Sequence, residues 1–63
     1  MNLSPYDCTV ISPSGRPYKG FRDWFADDAD AAAQSRAILT EQGYTVAKVE
    51  VAAGKVTVTL SNS

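Results

Sequence analysis

The stretch ADDADAAAQSRAILTEQ, Ala26 to Gln42, carries the only helical pattern in the chain, and it is poor in large apolar side chains. Alanine gives it high intrinsic helix propensity, and Gly43 stands where a left-handed residue closes a helix. Asp27 or Asp28 is placed to cap its start, with Asp30 in the first turn, where the aligned amide dipoles favour negative charge. The spacing of Ala32, Ser35, Ile38, Leu39 and Gln42 predicts a buried stripe built on Ala32, Ile38 and Leu39. A helix lined mainly with methyl groups cannot make a core alone, so it must lie low on a sheet that supplies the larger side chains.

The flanks supply that sheet. YDCTVIS, residues 6–12, is rich in β-branched and aromatic types and runs into PSGR, which offers turn chemistry. The next strand, Pro17 to Phe25, alternates so that Phe21, Asp23 and Phe25 share one face while Tyr18, Gly20, Arg22 and Trp24 share the other. Pro17 suits a strand's first position. Beyond the helix, YTVAKVEVAAGKVTVTLS reads as a hairpin turning at AAGK. Thr45, Ala47, Val49 and Val51 alternate with Val46, Lys48 and Glu50, and Val56, Val58 and Leu60 alternate with polar residues. The expectation is one α+β domain over residues 1–63, in the order β-β-α-β-β. Its four-stranded antiparallel sheet carries the helix on one face, and residues 1–5 and 61–63 are read as frayed ends.

With 63 residues the chain sits near the lower size limit for folding without covalent or metal staples. It has one cysteine and no histidine, so it can build neither an internal disulfide nor a common zinc site. Cys8 reads as a small buried hydrophobe, with pairing across a dimer as the alternative. Six basic against seven acidic residues give a formal charge of −1, which argues against a direct nucleic-acid binder. The start MNLSPYD lacks the plan of a secretion signal, and no apolar run is long enough for a bilayer, so a cytoplasmic location is expected.

Function therefore has to come from surfaces. FRDWF places three rings in five positions. If Phe21 and Phe25 face the helix, Trp24, Arg22 and Tyr18 project from the side that one helix leaves uncovered, and these are the residue types that dominate binding hot spots. The alternative is that a twist or bulge folds Trp24 into the core. Asp27, Asp28 and Asp30 offer a negative spot to a basic partner, though capping explains most of them. Their spacing is not that of a calcium loop, and no cofactor or metal is expected. No histidine, activated nucleophile or phosphate loop is present, so an enzyme is not expected. Three classes fit what remains: a protein-binding effector using the open sheet face, the acidic helix start or both; a single-strand nucleic-acid module stacking bases on the sheet aromatics; and a homodimer whose open faces meet.

The segment FRDWFADDADAAAQSRAILTEQGYTVAKVEV, about half the chain, resembles the strand, Asp-capped alanine-rich helix and Gly-Tyr-Thr-Val strand of small accessory proteins of bacteria and their phages, the anti-CRISPR type among them. The likeness is one of pattern and carries over no binding residue. It implies a stoichiometric inhibitor in the host cytoplasm that occludes a host machine, often a nucleoprotein complex where it binds nucleic acid.

Overall fold

The computed structural model describes residues 2–62. Its elements are β1 (Ser4–Ile11), β2 (Pro17–Phe25), α1 (Asp28–Glu41), β3 (Val46–Ala52) and β4 (Lys55–Leu60), in the expected order β-β-α-β-β. The strands form one sheet, ordered β2-β1-β4-β3, with the helix on one face. Met1 and Ser63, expected to fray, lie outside the described residues. Of the other expected frayed residues, Ser4 and Pro5 are already in β1, opposite Phe25 and Trp24.

The sheet is mixed, which corrects the purely antiparallel expectation. Each hairpin is antiparallel, but the inner strands β1 and β4 run parallel, with Cys8 opposite Val56 and Val10 opposite Val58. A helix of 14 residues is roughly 21 Å long at 1.5 Å per residue. That length matches the strands and returns the chain to the end where β2 began, so β3 runs in the direction of β2, β4 in the direction of β1, and the two hairpin turns lie at opposite ends of the sheet. Charge distribution then selects the inner strands. Lys19, Arg22, Asp23, Lys48 and Glu50 sit on β2 and β3, whereas β1 and β4 carry one charge each, Asp7 and Lys55, and supply Tyr6, Cys8, Val10, Val56, Val58 and Leu60, all buried. Strands carrying charges are tolerated at edges, and the apolar ones fill the centre beneath the helix.

Helix α1 is bounded as its sequence suggests. Asp27 is the N-cap: its carboxylate accepts the Asp30 N–H at 2.8 Å, and Asp30 in turn accepts the Ala26 N–H at 3.0 Å. At the other end Tyr44 N–H donates to Leu39 O and Gly43 N–H to Thr40 O, with Gly43 at φ +94°, which is the two-bond glycine closure. The buried stripe is Ala31, Ser35 and Leu39; Ala32 and Ile38, expected at its centre, are half-buried on its flank. The small side chains on that stripe bring Ser35 Oγ to 3.7 Å from Cys8 Sγ. Cys8 is 2% exposed, so the reading of a buried thiol holds over pairing between chains.

Two bulges modify the expected alternation. Between Val46 and Lys48 the register with β4 shifts, so Val46 pairs with buried Leu60 and joins Val49 and Val51 against the core, rather than lying with Lys48 and Glu50. Ala47 is exposed at the extra position. In β2, Lys19 pairs with Val10 and Pro17 with Ile11, leaving Tyr18 as the residue between them. No helix among the described residues is long and apolar enough to cross a membrane.

Candidate functional site

Among the described residues, no element covers the side of the sheet away from α1. Its side chains follow from the register. Arg22, Asp7 and Lys55 form one row across β2, β1 and β4, Gly20, Thr9 and Thr57 the next, and Ile11 and Thr59 lie opposite each other beyond it. On β3, Glu50 extends the row of Thr57 and Lys48 that of Thr59.

Trp24 stands at one corner of this face, directly across from Pro5. Its chain neighbours Asp23 and Phe25 turn to the helix side, where Phe25 is buried and its ring lies 5.6 Å from that of Tyr6. Alternation therefore carries the indole outward, and it is 56% exposed. The reading in which Trp24 folds into the core is excluded. Pro5 is exposed as well, so Trp24 and Pro5 make an apolar corner. Beside it Arg22 Nε donates to Asp7 Oδ1 at 2.8 Å, a bond that holds the guanidinium pKa above its ordinary value. Across the face Lys48 and Glu50 pair at 2.9 Å.

The six residues marked out by sequence divide among three places. Trp24 and Arg22 share the open face. Tyr18, expected with them, is turned away by its bulge to the far end of β2, where its ring meets that of Tyr44 edge-on at 5.9 Å and its hydroxyl accepts from Tyr44 Oη at 3.2 Å. Asp27, Asp28 and Asp30 lie at the start of α1, and each has work within the fold: Asp27 caps, Asp30 accepts the Ala26 N–H, and Asp28 Oδ1 accepts the Tyr6 hydroxyl at 2.9 Å. The Asp28 bond is also the main reason the Tyr6 phenol is held above its usual pKa, with burial and the neighbouring aspartates adding to it.

Sequence reasoning missed the role of Tyr44. With Tyr18, Pro13 and Leu60 it walls a cleft of about 270 Å³, and the Lys19 ammonium sits 5.2 Å from its ring centroid. The signal was present, because the residue after a helix-closing glycine often packs back against the last turn. Among the described residues no group of three or more His, Cys, Asp or Glu could hold a metal ion.

No family model matches this chain, and no curated protein or solved structure does so either.

Proposed function

We propose that this chain is a non-enzymatic binding module that docks on another protein through the open face of its sheet, with Trp24 as the anchor and Arg22 beside it. The observation that carries this reading is the placement of an indole, 56% exposed, at an apolar corner of a face that no element covers. Tryptophan and arginine are the residues most often found to dominate binding energy, and the core does not need this ring, since Phe25, Tyr6 and Leu39 fill the space beneath α1. The resemblance to anti-CRISPR-type accessory proteins makes a stoichiometric inhibitor of a host nucleoprotein complex, acting in the host cytoplasm by occlusion, the specific form of the proposal.

Single-strand nucleic acid is the less favoured partner. Arg22 and Lys48 on this face are engaged by carboxylates, Lys55 adds one further cation, and Tyr18 stands apart from Trp24, so neither a basic track nor a row of stacking rings is assembled. The acidic helix start is less favoured too, because its carboxylates are committed to the fold. The test is quantitative capture from host extract with the wild type, Trp24→Ala, and Asp28→Asn. A protein retained by the wild type and by Asp28→Asn but lost with Trp24→Ala supports the proposal. Retention by Trp24→Ala overturns it.

A further inference from the structure

We infer that a second copy of this chain pairs with the free edge of β2, antiparallel about a two-fold axis at Phe21, to join the two sheets into one of eight strands.

The direction of the edge groups comes first. Along a strand, N–H and C=O of each residue point to one side, and successive residues to opposite sides. Asp7 N–H donates to Gly54 O, on the β4 side, and Ser12 N–H donates to Arg16 O, on the β2 side. Even-numbered residues of β1 therefore bond to β2, and their partners Lys19, Phe21, Asp23 and Phe25 use their backbone groups inward. Gly20, Arg22 and Trp24 consequently point theirs to the free edge. The Trp24 N–H is met there by its own neighbour, Asp23 Oδ1, at 2.8 Å. Gly20 and Arg22 form a template for another strand.

Only some registers use that template. Outward-pointing residues must face each other, which removes every slip by one residue. Centring the pair on Arg22 sets arginine against arginine, and centring it on Lys19 or Asp23 sets like charges together. Centring it on Gly20 leaves Lys19 opposite Phe21. The register centred on Phe21 places Lys19 opposite the partner's Asp23, twice by symmetry, and Gly20 opposite the partner's Arg22. It is also the register of full overlap, because β2 runs from Pro17 to Phe25 with Phe21 at its middle. Charge complementarity and length thus select the same alignment.

The surroundings fit a second copy. Phe21 is only half-buried at the flank of the core, and its counterpart would cover the rest of the ring on the helix side. Gly20 presents no side chain where the partner's Arg22 arrives, so that arginine keeps its Asp7 bond. Lys19 would exchange exposed neutral contacts, Gln42 Oε1 at 2.8 Å and the Tyr44 ring at 5.2 Å, for a carboxylate. The pairing leaves Trp24 side chains exposed on one continuous face, which would make the proposed docking surface bivalent.

Sedimentation of the full chain over a concentration series, with charge reversals, tests this. The wild type is expected to show a monomer–dimer equilibrium. Lys19→Asp and Asp23→Lys should each weaken it about tenfold or more, because like charges then lie opposite at two symmetric positions. The double reversal should return to within about threefold of the wild type, since the pairs are restored with swapped signs. As a second readout that needs no variant, Gly20 and Arg22 amides should exchange slowly with solvent at high concentration and rapidly on dilution. A wild type that stays monomeric at millimolar concentration overturns the inference. So does a dimer indifferent to the single reversals, or a double variant no better than either. If a reversal unfolds the chain, the amide dilution series decides alone, and Gly20 and Arg22 exchanging at one rate throughout overturns it. Loss of the dimer in Trp24→Ala with Gly20 and Arg22 unprotected would place the contact on the open faces instead. The docking proposal is judged separately, by partner capture.

Discussion

Replacing Ala53 by glycine or asparagine should stabilise the protein. The β3–β4 turn has only Ala53 and Gly54 between the strands, and both have positive φ, 51° and 76°. Two left-handed central residues give the turn whose twist matches a hairpin, and its preferred sequences are Asn-Gly and Gly-Gly. Alanine in that region brings Cβ against the following carbonyl, which costs roughly 1–2 kcal/mol. Glycine removes the clash but adds about 0.5–1 kcal/mol of backbone freedom to the unfolded chain, so Ala53→Gly should gain about 0.5 kcal/mol. Asparagine tolerates the conformation without that entropy, and Ala53→Asn should gain about 1 kcal/mol. For a domain of this size such a gain raises Tm by about 4–8 °C. Thermal unfolding followed by circular dichroism reads it directly. Ala53→Val is the control: a β-branched side chain is worse there, so Tm should fall. An Ala53→Asn variant that melts at or below the wild type, or an Ala53→Val variant that does not melt earlier, would refute the turn geometry.

Asp27→Ala removes the cap of α1 and should lower stability by about 1 kcal/mol in urea titrations, whereas Asp27→Asn should retain most of it. Cys8 should resist labelling by thiol reagents in the native state and react fully in denaturant. Burial is the main reason its thiol pKa is raised, with Asp23 and Asp7 adding to it and the Ser35 hydroxyl opposing. A thiol held protonated by the fold contributes stability that is present below its unfolded pKa near 9.0 and lost as pH rises above it. Tyr6 acts in the same direction, from its ordinary value of 10.0 upward. Stability should therefore decline through the alkaline range above about pH 9, and Cys8→Ala should remove the lower part of that decline.

The helix was legible almost to its ends because caps are local: Asp27 and Gly43 each act on groups within one turn. The exposed side of β2 was legible from Arg22 to Phe25, where the alternation is unbroken. Strand order was not, because pairing β1 with β4 joins segments more than forty residues apart in sequence. The charges on β2 and β3 were nonetheless a usable sign that these are edges. The bulges at Tyr18 and Ala47 escaped because one extra residue reverses every side chain beyond it. Neither bulged residue is glycine, so the error moved Tyr18 into the wrong group and Val46 to the wrong face. On the helix, Leu39 and Ser35 fall on the buried stripe as their spacing suggested, but Ala31 takes the place expected for Ala32 and Ile38 lies on the flank, for a related reason. With so few large side chains on α1, the hydrophobic pattern marks its inner face weakly, and close approach by small residues decides which side lies down.

Trp24 on the open face is dispensable to the fold, and the unfolding free energy of Trp24→Ala, measured by denaturant titration at low protein concentration, tests that most directly. An exposed ring on the uncovered face predicts a change within about 0.5 kcal/mol of the wild type. A loss of about 3–5 kcal/mol, the usual consequence of deleting a buried aromatic, would contradict it.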